Sequence, residues 1–239
     1  MKKQTIFWIY SLVIIGAALS LTSSCSKKDS NNNNIPGGTV KDIDGNVYHT
    51  VTIGVQVWMV ENLKTTRYND GSAIPLVTDS AAWVALSTPG YCWCNNDAAT
   101  YKNTYGALYN WFTVKTGKLA PTGWHVPTDA EWTILTTFLG GEPVAGGKMK
   151  STGTIEAGTG LWYSPNTGAS NESDFTAVPA GYRFYNGTFD IVGHASYWWS
   201  SSDGDPGHAW TRSVGNGIRD VSRGGYGMHD GFSVRCLRD

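Results

Sequence analysis

Alternating apolar and polar residues over positions 39–63 predict three antiparallel strands. The segments "TVKDI", "VYHTVTI" and "VQVWMVENL" each alternate, and Asp44-Gly45-Asn46 and Gly54 stand between them as turns. In the third segment apolar residues occupy both alternating sets of positions. We therefore expect both faces of these strands to be at least partly covered.

The apolar spacing becomes helical in "YGALYNWFTVKTG". Apolar residues fall at i, i+3, i+4 and i+7, namely Tyr105, Leu108, Tyr109 and Phe112. This spacing predicts a helix from about Tyr105 to Lys115, and Gly117 is placed to end it.

A second helix is predicted after "TGWHVPTDAEW". The Thr128 hydroxyl can accept from the backbone N–H of Glu131, whose carboxylate can reach back to the Thr128 N–H, which makes a capping box. Gly140-Gly141 would end the helix. The apolar stripe that we expect to pack consists of Trp132, Leu135 and Leu139, widened by Ile134 and Phe138.

From Lys148 onward Gly, Ser, Asn and Thr dominate, with short apolar runs such as "ASYWWSSS" and "GFSVRCL" between them. Short strands with glycine-rich turns are the natural interpretation. Because two helices lie between a strand-rich start and a strand-rich end, the pattern indicates an α+β domain and not a parallel α/β sheet.

The first residues have the composition of an export signal. Lys2 and Lys3 precede the apolar run "IFWIYSLVIIGAALSL", and "TSSC" follows, which resembles bacterial lipoprotein signals with cleavage before Cys25. We expect a signal peptide over residues 1–24, a polar tether over residues 25–38 with the lipid on Cys25, and one domain over residues 39–239. A plain secreted protein is the alternative.

Charge argues against a nucleic-acid partner. Without Lys2 and Lys3 the chain keeps 16 of its 18 basic residues against 19 acidic ones, a net charge of 16 − 19 = −3. Nucleic-acid binding needs a basic face. We therefore expect the partners to be the membrane, through the lipid, and a molecule outside the cell.

Three cysteines remain beyond Cys25, and an exported protein lives where disulfides persist. Cys92 and Cys94 would share one face of a strand, and either could pair with Cys236. Such a bond would close a loop of more than 140 residues and stabilise the fold by about 4 to 5 kcal/mol in the chain-entropy model. One thiol would be left over.

Metal, cofactor and catalytic signatures are missing from the sequence. The five histidines are scattered, without zinc spacing: His49, His125, His194, His208 and His229. No nucleophile elbow, phosphate loop or dinucleotide fingerprint occurs. Asp203 to His208, "DGDPGH", is simpler as a hairpin turn than as a calcium loop. We expect no metal and no cofactor.

Aromatic and arginine residues are the candidate ligand contacts. Ten of the 11 Trp residues follow Cys25, and Trp rings can stack on sugars or anchor a protein. Trp198 and Trp199 would point to opposite faces of a strand, so one of them would face outward or lie beneath a loop. Arg212, Arg219 and Arg223 could bind a carboxylate or sulfate, with surface exposure or internal ion pairing as the alternatives.

Five phrases in the same order resemble the Fibrobacter succinogenes major paralogous domain family over nearly all of residues 39–239. They are "VTIGVQVWMVENL", "YGALYNWFTV", "GWHVPTDAEWTIL", "YWWSSS" and "GFSVRCLRD". That family comprises exported, often lipid-anchored bacterial proteins. It is in turn similar to the formylglycine-generating sulfatase-modifying enzymes, here through "HVPTDAEW", Arg223-Gly224-Gly225 and Gly231-Phe232, which implies a C-type-lectin-like α+β fold.

The resemblance also bears on chemistry and on the disulfide. The sulfatase-modifying enzymes use two cysteines where this chain has the segment Tyr226 to His229, so the resemblance does not extend to their copper site. Within the paralogous family Cys92 and Cys236 match the usual cysteines. This implies a Cys92–Cys236 disulfide with Cys94 free, and a structural role for the "PTDAEW" corner.

The sequence thus leads to a hypothesis of a non-catalytic lipoprotein, anchored in the outer membrane and exposed at the cell surface, that binds a glycan or a protein. A structural role in an envelope complex and an enzyme related to the sulfatase modifiers are the rivals. The expected binding residues lie in the C-terminal loops and are Trp199, Asp203, Asp205, Trp210, Arg212, Asn216, Arg219, Arg223 and Tyr226.

Overall fold

The computed structural model describes residues 35–239, so the expected signal peptide and Cys25 lie outside the described residues. The strands, in chain order, are β1 (Ile35–Lys41), β2 (Val47–Ile53), β3 (Gln56–Met59), β4 (Tyr91–Trp93), β5 (Ala107–Tyr109), β6 (Trp124–His125), β7 (Tyr182–Arg183), β8 (Phe189–Asp190), β9 (Ala195–Asp203), β10 (His208–Gly215), β11 (Ser222–Gly227) and β12 (Leu237–Arg238). The α-helices are α1 (Ser80–Val84), α2 (Ala98–Tyr105), α3 (Trp111–Lys115), α4 (Asp129–Phe138) and α5 (Glu142–Met149).

The largest sheet has the order β1-β2-β3-β12-β6 and contains the predicted meander. Each of its neighbouring pairs is antiparallel. β1 begins at Ile35, which pairs with Thr52, so residues 35–38, expected in the tether, belong to the folded domain. In β3 both Trp58 and Met59 are buried, which agrees with coverage of both faces.

The helix predicted from Tyr105 to Lys115 is wrong over residues 106–110. α2 ends at Tyr105, residues 107–109 pair with β4 as strand β5, and only α3 is helical. Gly106 has φ +78°, and a Cβ there would lie 2.8 Å from the Leu63 carbonyl oxygen. Asn110 is the N-cap of α3, because its side chain accepts a hydrogen bond from the Thr113 backbone N–H, and α3 is therefore a separate helix.

The second predicted helix is α4, and both halves of its capping box are present. Trp132, Leu135 and Leu139 are buried, as the stripe predicts. Ile134 and Phe138 do not widen this stripe, because they are 48% and 44% exposed. α1, α2 and α5 were not anticipated from the sequence.

The C-terminal region forms the expected short strands, and the domain is α+β. β9, β10 and β11 make a three-stranded antiparallel sheet with β10 in the centre. Trp198 and Trp199 in β9 point to opposite faces, and both have 0% exposure. Trp199 packs in one large hydrophobic cluster and Trp198 in another, so β9 separates two cores.

The expected Cys92–Cys236 disulfide is not formed, and Cys92, Cys94 and Cys236 are buried free thiols. Cys92 and Cys94 pack with Trp83 and Leu108 in a small cluster, whereas Cys236 belongs to the large cluster around Trp199. Burial raises the pKa of the Cys92 and Cys94 thiols to about 12 and that of Cys236 above its ordinary value. These thiols are therefore unreactive at neutral pH.

Within residues 35–239 no helix has the length and apolar character needed to cross a membrane.

Candidate ligand-binding groove

An open groove of about 550 Å³ lies at one end of the three-stranded sheet. Gly225 to Gly227 of β11 and the start of β10 form one wall, and the connection between β7 and β8 forms part of the other. Its lining residues are Val84, Phe184, Tyr185, His208, Gly225, Tyr226, Gly227, His229 and Asp230. Most of this lining is aromatic or apolar, which is typical of a site for a small ligand or a sugar.

Aromatic side chains give the groove its surface. Tyr185 is 55% exposed, and its ring centroid lies 4.4 Å from that of Phe184. Tyr226 packs edge-on against Tyr197 and Phe232, with centroids 5.3 Å away in each case. Tyr226 is thus fixed by the core, while Tyr185 offers an exposed face on which a flat apolar ligand surface can stack.

A buried carboxyl group lies among these rings. Asp230 is only 2% exposed, and its Oδ1 accepts from the Tyr185 backbone N–H at 2.7 Å. Burial raises the pKa of Asp230 to about 6, although N–H donors of Tyr185 and Gly227 and the nearby His208 act in the opposite direction. At neutral pH the carboxylate is ionised and can accept hydrogen bonds from ligand hydroxyl groups.

Two imidazoles complete the lining. His208 is exposed at the start of β10, and its Nδ1 lies 3.2 Å from the Pro206 carbonyl oxygen. The His229 ring packs edge-on against Phe112 at 5.2 Å. Among residues 35–239 no group of three or more His, Cys, Asp or Glu side chains could hold a metal ion. The groove therefore offers hydrogen-bonding groups beside aromatic rings, which suits a ligand rich in hydroxyl groups.

Two of the residues expected to bind ligand are in the interior. Trp199 has 0% exposure and donates its Nε1 proton to the Tyr109 carbonyl at 2.8 Å. Arg212 also has 0% exposure, and its Nη1 lies 2.7 Å from Asp129 Oδ1. Neither side chain can reach a ligand in this conformation, and the ion-pair alternative holds for Arg212.

Trp210 and Arg223 form a separate surface stack. The Arg223 guanidinium carbon lies 3.5 Å from the centroid of the Trp210 ring, and its Nη2 donates to Asp129 Oδ2 at 2.9 Å. Asp129 is therefore shared between Arg223 outside and Arg212 inside. Both arginines are thus ion-paired with Asp129, and Arg223 covers one face of the Trp210 ring.

The other expected residues do not converge. Asp203 and Asp205 are exposed near the turn that joins β9 to β10. Asn216 and Arg219 lie beyond the opposite end of β10, where Asn216 Nδ2 donates to the Ser164 carbonyl at 3.0 Å. Of the nine expected residues only Tyr226 lines the groove.

Sequence reasoning missed Tyr185, His208, His229 and Asp230 as members of one site. In the sequence His208 belongs to a predicted hairpin turn, and the adjacent His229 and Asp230 have no recognisable spacing to Tyr185 or His208. A local signal does exist in "GMHDGF", where His229 and Asp230 stand next to each other between two glycines. Only the fold brings the β7–β8 connection next to it.

An ionised carboxylate in a nearly dry position should reduce stability, and this yields a prediction. Because the pKa of Asp230 is about 6 in the folded protein against an ordinary 3.8, the folded state binds the proton more tightly. Stability therefore falls as pH rises from about 4 to about 6 and stays reduced above that. Asp230→Asn should raise the free energy of unfolding at pH 7 by about 1 to 3 kcal/mol.

Urea unfolding followed by tryptophan fluorescence at several pH values checks this. At pH 4 the wild-type carboxyl group is mostly protonated, so the Asp230→Asn advantage should shrink toward zero there. An equal difference at pH 4 and pH 7 would contradict a role for ionisation.

The described residues form an α+β domain with an open groove at one end of its three-stranded sheet. A family model described as the Fibrobacter succinogenes major domain matches residues 51–238, and the chain belongs to this family. No curated protein and no solved structure matches the chain.

Proposed function

We propose that this protein is a lipid-anchored envelope protein, placed at the outer face of the outer membrane through Cys25, whose groove binds an extracellular glycan. The observation that carries the proposal is the exposed Tyr185 ring beside the buried Asp230 carboxyl group. Sugars present an apolar ring face and a rim of hydroxyl groups, and this pair of side chains can meet both.

A binding role is favoured over catalysis by the same lining. Glycoside hydrolysis ordinarily uses two carboxyl groups, and among the described residues that line the groove Asp230 is the only acid. The segment Tyr226 to His229 also lacks the cysteine pair that the sulfatase-modifying enzymes use. We therefore propose that the groove holds its ligand without reacting with it.

The fold that we propose is C-type-lectin-like. Its support is the α+β composition and the position of β12, which returns to lie between β3 and β6 in the sheet that the N-terminal strands build. The binding loops would then lie in the long excursion between β3 and β12. Because fold alone does not decide function, the proposal depends on the groove itself.

The test is a glycan-array screen of the mature chain, residues 25–239, with Cys25→Ser to prevent lipidation. We expect binding to a restricted class of glycans, and Tyr185→Ala should weaken it about tenfold through lost stacking. Asp230→Asn should weaken it as well and should remove the expected gain in affinity between pH 5 and pH 7, since only the carboxylate accepts from hydroxyl groups at both oxygens.

Tyr163→Ala is the matched control, because Tyr163 is 38% exposed and does not line the groove. Its affinity should equal that of the wild type. Unchanged binding by folded Tyr185→Ala would refute the location of the site. If the wild-type protein binds no glycan on the array, the proposal that its ligand is a glycan is refuted.

A further inference from the structure

The outward face of α4 carries no charge. Its exposed residues are Ala130, Thr133, Ile134, Thr137 and Phe138. A surface helix normally places charged residues on the face opposite its buried stripe. Here Ile134 and Phe138, one turn apart, are 48% and 44% exposed on that face.

The turn between β2 and β3 extends this apolar surface. Val55 at its tip is 91% exposed, the highest exposure of any large apolar residue among those described. Phe138 covers the neighbouring Gly54, where a Cβ would lie 2.8 Å from the ring. Gln56 Nε2 donates to the Glu131 carbonyl oxygen at 3.0 Å and ties the turn to α4. We call Val55, Ile134 and Phe138 the apolar platform.

The chain enters the domain beside this platform. Ile35 pairs with Thr52 of β2. Gly54 lies two residues after Thr52, so these two residues are about 7 Å apart along the chain. The Cys25 position is ten residues before Ile35, and ten extended residues span at most about 35 Å. A lipid on Cys25 would therefore hold the start of β1, and with it the platform, within about 40 Å of the membrane surface.

The charge of the segment between Cys25 and Ile35 also favours contact with a membrane. Lys27 and Lys28 follow Cys25 after one serine and outnumber the neighbouring Asp29, and basic residues near a bilayer are attracted to anionic headgroups. Glu131, the acid nearest the platform in α4, is turned toward His125 and Thr128, with which it forms hydrogen bonds. No repelling carboxylate of the α4 face thus stands between the platform and an anionic surface.

We propose that the apolar platform rests in the headgroup region of the membrane that carries the lipid anchor. The proposal rests on the lipidation of Cys25 that the proposed function includes. Three exposed apolar side chains bind a bilayer only weakly by themselves, but the tether gives them a high local concentration at its surface. The anchor and the platform together fix one orientation of the domain.

The experiment places a fluorescent label at the platform of the full-length lipidated protein. Val55→Cys is labelled with a nitrobenzoxadiazole maleimide; Cys92, Cys94 and Cys236 are buried, and an acylated Cys25 has no free thiol. The protein is reconstituted into phosphatidylethanolamine–phosphatidylglycerol vesicles with nitroxide-bearing lipid. The fluorescence emission of the label at position 55 should shift to shorter wavelength, and the nitroxide should quench at least about half of it.

Ile43→Cys is the matched control, because Ile43 is 53% exposed in the turn at the other end of the β1–β2 hairpin. Its label should be quenched little. Adding Ile134→Ser and Phe138→Ser to Val55→Cys should reduce the quenching at position 55 to the control level. These substitutions lie on the exposed face and leave the buried stripe of α4 intact.

Equal quenching at both positions, or none at position 55, would overturn the proposal. A blue shift at position 55 without nitroxide quenching would also overturn it and would assign the platform to a protein partner or a second copy. Mass spectrometry of the same sample scores acylation of Cys25 separately. If Cys25 is not acylated, a variant with hexahistidine in place of residues 1–25 is held on vesicles that contain nickel-chelating lipid. The same quenching measurement then tests docking of the platform independently of the proposed anchor.

Discussion

Asp129→Ala is expected to lower the free energy of unfolding by about 3 to 5 kcal/mol, because it leaves the fully buried Arg212 without a counter-charge. Burial alone would raise the pKa of Asp129, but hydrogen bonds from Arg223 and Arg212 outweigh it and hold this pKa below its ordinary value. The stabilisation is therefore present above about pH 4 and is lost as pH falls further. Urea unfolding at pH 7 measures the loss.

Two comparisons separate this effect from a general loss of surface charge. Asp203→Ala removes an exposed carboxylate whose ion-pair partner Lys115 is exposed as well, so stability should hardly change. Arg212→Met combined with Asp129→Ala should recover a large part of the loss, because the buried charge is then gone too. A double variant as unstable as Asp129→Ala alone would show that the cost has another source.

Asn62→Ala is expected to be as damaging, with a loss of about 3 to 5 kcal/mol. Asn62 Oδ1 accepts from Trp198 Nε1 at 2.9 Å and from Arg235 Nη2 at 3.0 Å, and its Nδ2 donates to the Tyr105 carbonyl at 2.9 Å. Each buried donor left without an acceptor costs about 1 to 3 kcal/mol. Burial lowers the pKa of Arg235 to about 9, which shows that its charged form is already destabilised. Loss of the Asn62 acceptor would destabilise this cation further.

Asn69→Ala provides the same substitution at an exposed position with one hydrogen bond, from Nδ2 to the Ala120 carbonyl. It should cost about 1 kcal/mol or less. Thermal and urea unfolding of both variants measure the difference. Equal losses at positions 62 and 69 would contradict the role of Asn62 as the shared acceptor of two buried side chains.

Features that depend on neighbouring residues were predictable from the sequence. The capping box joins Thr128 and Glu131 within one turn of helix, so the pattern names both partners. The apolar spacing after Tyr105 fits a helix, but residues 107–109 form a strand because they pair with residues 91–93, which are distant in the sequence. Local pattern could not weigh that tertiary pairing against helical propensity.

The candidate groove was largely beyond sequence reasoning. Its lining comes from separate segments between Val84 and Asp230, and only Tyr226 belongs to the expected set. Trp199 and Arg212 looked like ligand contacts because bulky aromatic and cationic residues are frequent at binding sites. In this fold Trp199 fills one core and the buried Arg212 pairs with the half-buried Asp129 carboxylate, and no spacing in the sequence distinguishes these uses from ligand contact.

The position of β12 has a consequence for how the protein is made. Leu237 pairs with both Trp58 and His125, so the central sheet cannot close until β12 has been synthesised. Pairing at such long sequence separation slows folding. Until β12 has been synthesised, β3 and β6 each keep an unpaired edge at which a nascent chain of this domain can pair wrongly.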